Sequence, residues 1–510
     1  MMVRYDAIVI GGGLGGLTAG AKLAKEGKKV LLIEQHSVPG GLATTFKRKD
    51  YKMEVGLHFM DGLDSNDLKK KIFDDLNVFE NVKFVKIPDF FRFKNDRVDI
   101  VVPDNTKDAI EVLKSYFPEE KKGIAKFFSR INGIEKELKQ LGKEKSRLKR
   151  FPIFFPIFFP NVFFNTYRTL GSFLDSIIDD EDLKLILQGN ISHYHDNPYT
   201  MSLIYFGLAQ SSYYNNGGYF IKGGSQKLSN YLTKFIMGNG GKVLLNNIVE
   251  KIIIKDNCAV GVEYKKTNHD SGDREVVFAD NIIANCAVPN VVNMLPSKKR
   301  GLLGEKLKDL SYSNSLLIIF IGFKKEVKKI GNKSYSTFVF SESIKSLGDV
   351  VKNHRGGYEK KNFVFVDYSQ VDSGLASKGK SSGVICAIDY IENWNNLDQK
   401  EYKRKKDEVA QIFFRRLDKL IPGVVDIIDY YEVATPMTIE RYTQNPCGSV
   451  YGYSQIPEQA GYLRVPNESP ISNLYFASGW SHPGGCYTGV ILSGWISAKK
   501  ILKKNRYSFT

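Results

Sequence analysis

The sequence predicts an α/β protein in which a Rossmann-like dinucleotide-binding unit is interleaved with an α+β unit. Three stretches carry that prediction. The chain opens with an apolar strand, Tyr5–Ile10, a glycine turn over Gly11–Gly16, a helical run, and a second apolar strand ending at Glu34. It closes with Asn473–Ala477, then Gly479, His482-Pro-Gly-Gly485 and a helix opening at Tyr487-Thr488-Gly489. Between them, Gly223-Gly224 precedes Ser225-Gln226 and a helical run to Met237. With 510 residues, the chain exceeds one ordinary domain.

Each part of the opening stretch has a physical job. Gly11 permits the tight turn, Gly13 lets backbone approach a pyrophosphate, and Gly16 lets helix pack closely on strand. Leu14 and Gly15 start a helix whose free N–H groups and positive dipole end suit phosphate. Glu34 stands 18 positions after Gly16, near the roughly 20 expected of a carboxylate that accepts from a ribose hydroxyl. A second glycine pair, Gly40-Gly41, follows, then Thr45-Phe46. Backbone this bare just after the acid fits a flavin dinucleotide. These residues resemble the entry of the phytoene desaturase, carotenoid isomerase and retinol saturase family. That family is a branch of the amine-oxidase-like, glutathione-reductase-like FAD proteins. The resemblance implies FAD rather than NAD.

Charge and composition narrow the partners. The formal net charge is +17, which suits an anionic partner. No zinc finger, RNA-binding sheet signature or basic repeat supports nucleic acid, so an anionic membrane surface is the better partner. No apolar run approaches the roughly 20 residues that span a bilayer. The chain enters its first strand at once, so no signal peptide is expected. A cytoplasmic protein, peripheral on the cytoplasmic membrane, is expected. The five cysteines are scattered and form no Cys-x-x-Cys pair, as in a reducing compartment. His193-Tyr-His195 reads as a turn or pocket lining, and no metal site is expected.

In chain order, Tyr51–Gly62 reads as a short strand and loop that carries Glu54 and His58. The resemblance implies that His58 lies beside the flavin; the plainer alternative is a hydrogen-bonded loop histidine. Phe90, Phe91 and Phe93 mark a half-buried sheet face. Residues 119–150 read as a charged helix, and Lys136–Arg150 holds seven basic and two acidic residues. Phe151–Phe164 is apolar almost throughout, with three prolines that forbid a regular helix. Basic residues beside an aromatic wedge fit an interfacial anchor at a tunnel mouth. A lid over an apolar tunnel and plain core are the alternatives. Thr169 or Ser172 caps the next helix. Leu183–Ser192 and Met201–Gln210 are apolar helices, with Tyr205, Phe206, Tyr213 and Tyr214 as cavity lining.

Val249–Ile254 and Ala259–Tyr264 form a hairpin around Asp256-Asn257. In the family this places Val249 at the adenine end. Leu316–Phe323, Phe363–Tyr368, Val384–Tyr390 and Ile427–Val433 read as strands of a cavity floor, and Lys400–Ile421 as an amphipathic helix. At the close, the resemblance places Gly479 at the pyrophosphate and Tyr487, Thr488 and Gly489 in a helix opening under the isoalloxazine. Cys486 stands where the family often has glycine. The FAD-binding unit is read as residues 1–63, 217–296 and 443–510. The substrate unit is 64–216 and 297–442, with a lid near 136–165.

The implied reaction is hydride transfer between flavin N5 and a long apolar polyene of carotenoid or retinoid type, as desaturation or saturation. His482, His58 and Glu54 are the proton-carrier candidates. Flavin-dependent polyene isomerisation, amine oxidation and non-enzymatic lipid binding are the alternatives.

Overall fold

The computed structural model describes residues 4–63, 67–150, 154–267 and 274–507. Its architecture is the predicted α/β one, built on two large sheets. In the first, strand Arg4–Ile10 lies between Val30–Ile33 and Glu275–Ala284, parallel to both. Lys242–Leu244 extends the sheet beyond Val30–Ile33. Leu474–Phe476 runs parallel to the last residues of Glu275–Ala284. The hairpin Asn247–Lys255 and Cys258–Lys266 adds two antiparallel strands. Its turn residues Asp256 and Asn257 hold left-handed φ values of 48° and 59°, as a two-residue hairpin loop requires.

This sheet gathers a site by topology alone. Ala7–Ile10 and Val30–Ile33 are buried throughout, which is why they read as unbroken apolar runs. The parallel strands all end on one edge. Gly11, Glu34, Asn285 and Ala477 each follow a strand there, where open α/β sheets bind ligands.

The second sheet runs in the order Ile428–Ala434, Ser315–Phe323, Ser381–Asp389, Phe363–Asp367, Ser336–Val339, Phe91–Lys94, Asp99–Val102. Only the Ser336–Val339 and Phe91–Lys94 pairing is parallel. Alternation divides its faces. Leu317, Ile319 and Ile321 pack with Phe413 and Leu417 of helix Gln399–Leu420. Leu316 and Ile318 face the other way, into the central cavity.

A third unit is helical. Helix Lys121–Arg150 packs on Leu203–Asn216. The aromatic segment forms two one-turn helices, Phe155–Phe158 and Pro160–Phe163, each with proline in its first turn. Buried Glu137 accepts from the backbone N–H of Asn161 at 3.0 Å and of Val162 at 2.8 Å. A carboxylate at a helix N-terminus meets free donors there. Phe159 and Val162 are buried with Leu141. Ile157, Phe158 and Phe164 are 70%, 60% and 69% exposed, so plain core does not describe this segment. Phe151, Pro152 and Ile153 lie outside the described residues, as do the side chains of 143–150. Among the described residues no helix is long and apolar enough to cross a membrane. Thr169, not Ser172, caps the following helix, accepting from Ser172 N.

Candidate functional site: a cavity between the two sheets

A cavity of about 300 Å³ runs from the strand ends of the first sheet to the inner face of the second. One end is glycine. Gly11, Gly13, Leu14, Gly15, Gly40 and Gly41 line it, with Glu34 and Val249. Gly11 has φ +95°, a turn that a side chain would strain. Gly40 N donates to Gly12 O at 2.8 Å, so the second glycine pair is tied to the first loop. Glu34 accepts from Gly12 N at 2.6 Å and from His36 N at 2.8 Å. Its carboxylate is thereby fixed where strand Val30–Ile33 ends.

Helix Leu14–Lys25 starts at the cavity wall with Gly13 as its N-cap and no acidic residue in its first turn. Its opening N–H groups lack intrahelical partners. Gly16 stands behind, where a Cβ would collide with Gly11 O and crowd Val9. Gly15 makes a closer approach still: a Cβ there would strike Ala477 O, and one on Gly494 would strike Gly15 O. The first helix thus seats directly on the closing helix, Cys486–Tyr507.

Gly479, Tyr487 and Thr488 line the cavity; Gly489 and Thr45 do not. Gly489 packs against Gly484 backbone, and Thr45 against Gly224. Behind the Gly479 loop, the buried guanidinium of Arg464 donates to Tyr451 O and Tyr453 O, each at 3.0 Å, and to Gly479 O. Burial pushes it down to about 10. Asn285 joins the strand ends by donating to Ala477 O.

Midway lies a buried ionic cluster. Lys69 Nζ sits 3.2 Å from Asp61 Oδ1 and donates to Thr488 Oγ1 at 2.8 Å. Thr488 and Ser212 hydroxyls also donate to Asp61. Burial opposes charge on Asp61, but Lys69 and the two hydroxyls overcome it and hold the carboxyl below its ordinary value. Asp61 and Thr488 line the cavity.

The other end is apolar and aromatic. Phe59, Met60, Tyr213, Leu316, Ile318 and Cys386 line it, with His58 and His193. The two imidazole centroids are 5.5 Å apart. Burial pushes His58 down to about 4. Burial, then the His58 charge, pushes His193 down to about 3. Both are neutral near pH 7. Cys486 Sγ donates to His193 O at 3.2 Å, and burial pushes its thiol up to about 12.

Two of the three proton-carrier candidates lie elsewhere. Glu54 is outside the cavity wall. It accepts from Ser225 N at 2.7 Å, Ser225 Oγ at 2.6 Å and Leu57 N at 3.2 Å. Burial pushes it up to about 7. His482 is also outside the wall; its Nδ1 pairs with Gly461 O at 2.8 Å and its ring stacks on Tyr462. Sequence reasoning did not single out Asp61, Lys69 or Arg464 as functional. His193 was flagged only as a turn or pocket residue, and its cue was the histidine pair itself. Among the described residues no group of three or more His, Cys, Asp or Glu side chains is placed to hold a metal.

The glycine end fits an adenine dinucleotide. Bare backbone, an uncapped helix start and a strand-end carboxylate occur together; a side chain at Gly40 would strike Ala43 O of its own turn, and one at Gly15 would strike Ala477 O of the neighbouring strand end. Known proteins agree. An all-trans-retinol 13,14-reductase of Danio rerio is 27% identical over 99% of this chain and 87% of its own. A chloroplastic prolycopene isomerase 2 of an Oncidium hybrid cultivar is 28% identical over 98% of this chain and 84% of its own. A 1-hydroxycarotenoid 3,4-desaturase of Flavobacterium sp. (strain P99-3) is 26% identical over 98% and 99%. The family described as flavin containing amine oxidoreductase matches residues 14–502. The chain belongs to that family and is an FAD-dependent oxidoreductase.

Proposed function

We propose that this enzyme exchanges two electrons with a long conjugated isoprenoid, a carotenoid- or retinoid-like polyene, in the apolar half of the cavity. One observation carries the reading: the glycine end and an aromatic, apolar end belong to a single cavity. The similar reductase and desaturase, by their names, run redox chemistry on polyenes in opposite directions.

Bound FAD supplies the two-electron chemistry. Gly11–Gly15, Gly40 and Gly41 hold its pyrophosphate against backbone, and Glu34 accepts from its ribose. Phe59, Met60, Leu316 and Ile318 exclude water from the reacting carbons. His58, neutral and in the wall, is the proton carrier. Glu54 acts at one remove, fixing the Ser225 turn. The cofactor unit comprises 1–63, 217–296 and 443–510, and the substrate unit the remainder.

The exposed face of Phe155–Phe164 rests on an anionic membrane, from which the lipid enters. Among the described residues none between 136 and 165 lines the cavity, so the segment serves as an anchor rather than a lid.

Anaerobic mixing of oxidised and reduced enzyme with polyenes in liposomes tests the reaction. Flavin bleaching or reoxidation with a product of changed hydrogen count is expected. Product of unchanged hydrogen count would point to isomerisation, and turnover of amines alone would overturn the polyene reading.

A further inference from the structure

His58 and His193 lie side by side in the apolar wall of the cavity, ring centroids 5.5 Å apart, and each has a buried nitrogen with no partner. His58 Nδ1 and His193 Nε2 are buried and unbonded within the protein. Their neighbours are rings: Phe59 and Phe338 each lie 5.7 Å from the His193 centroid. Nothing in that aromatic wall satisfies these two atoms.

A hydrocarbon placed there would leave both nitrogens desolvated and unpaired, which is costly. A hydroxyl has one donor and two acceptor sites, and a neutral imidazole has one of each. One hydroxyl can serve both unbonded nitrogens, donating to the one that accepts and accepting from the one that carries N–H. A carbonyl satisfies whichever ring presents N–H. Neutrality matters here: a charged pair would repel itself and would select an anion instead.

Resting on the polyene reading, we propose that the site selects an oxygen-bearing polyene, an alcohol or carbonyl compound, whose oxygen is held by the unbonded nitrogens of His58 and His193. A site built to hydrogen-bond a hydroxyl rejects the analogue that lacks it far more strongly than an apolar pocket rejects an extra group.

The test is binding of a matched pair to the oxidised flavoprotein: one polyene alcohol and the same polyene without its oxygen. Perturbation of the flavin absorbance gives each Kd. Wild-type protein is expected to bind the alcohol at least about tenfold more tightly. His193→Leu narrows that gap, mainly by weakening the alcohol, with the flavin spectrum unchanged. The wild-type preference is read without any variant, so a poorly folding substitution does not blunt the test. Equal affinity for the pair overturns this proposal and leaves the polyene reading intact. A His193→Leu effect equal on both ligands, with a shifted flavin spectrum, assigns the imidazoles to the cofactor and also overturns it. Binding of neither polyene overturns the proposal and the polyene reading together.

Discussion

Lys69 Nζ donates to Thr488 Oγ1 at 2.8 Å and sits 3.2 Å from the Asp61 carboxylate, with the lysine side chain wholly buried. One ammonium thereby clamps the helix Leu68–Asp75 to the start of the closing helix at the cavity wall. Removing one partner of such a pair strands a buried charge. Lys69→Met is expected to cost about 3–5 kcal/mol, read from urea unfolding. Adding Asp61→Asn should restore part of that loss. An unchanged midpoint for the single variant would show that the pair is not buried in solution.

Gly15 touches both Ala477 and Gly494. Gly15→Ala puts a methyl into the Ala477 carbonyl, so the first helix must shift off the end of strand Leu474–Phe476. Purified variant protein is expected to be colourless or to lose flavin on gel filtration, whereas wild type stays yellow.

Glu34 is the cavity's strand-end carboxylate. Glu34→Ala removes the acceptor for Gly12 N and the proposed acceptor for the ribose. Hydrogen bonds to charged groups contribute about 1.5–3 kcal/mol, so FAD affinity should fall by about 10- to 100-fold. Isothermal titration of the flavin-free protein measures it.

Two depressed histidines set the acid limb of stability. His58 and His193 sit near 4 and 3 in the fold against 6.5 when unfolded. The unfolded chain binds more protons below pH 6.5, so their contribution is full above 6.5 and is lost as pH falls toward 4 for His58 and toward 3 for His193. Glu54 acts with the opposite sign. Raised from 4.5 to about 7, its contribution is full below 4.5 and lost as pH rises toward 7. A His58→Phe, His193→Phe double variant is therefore expected to unfold with a shallower acid limb when urea midpoints are followed from pH 7 to 4. An unaltered slope would place both rings in water.

The exposed aromatics offer a surface test. Replacing Ile157, Phe158 and Phe164 with Ser removes apolar area that is mostly outside already. Stability should move by less than about 1 kcal/mol, while co-sedimentation with anionic vesicles drops severalfold. Equal sedimentation of variant and parent would remove the segment from membrane binding.

Patterns confined to neighbouring residues were legible in the sequence. The opening turn, the hairpin at Asp256-Asn257 and four strands of the second sheet declare themselves by glycine, turn residues or apolar runs, whereas the short strand Ser336–Val339 does not. The Glu34 position followed from its spacing after Gly16. Contacts between remote positions carry no such signature. Lys69 meets Thr488 across 419 positions, and nothing in either neighbourhood encodes the other. Motif spacing also cannot tell which way a turn points its side chains. His482 sits in a glycine-rich turn as anticipated, yet its ring lies on Tyr462, away from the cavity wall.

The strand Arg4–Ile10 finds its second neighbour only at Glu275–Ala284, and the helix after it completes its seat, begun on Gln226–Gly238, at Gly494. A ribosome must therefore finish almost the whole polypeptide before the first thirty-odd residues reach their resting place. Until then the nascent amino-terminal segment lacks its last packing partners, and nucleotide capture belongs to the released chain.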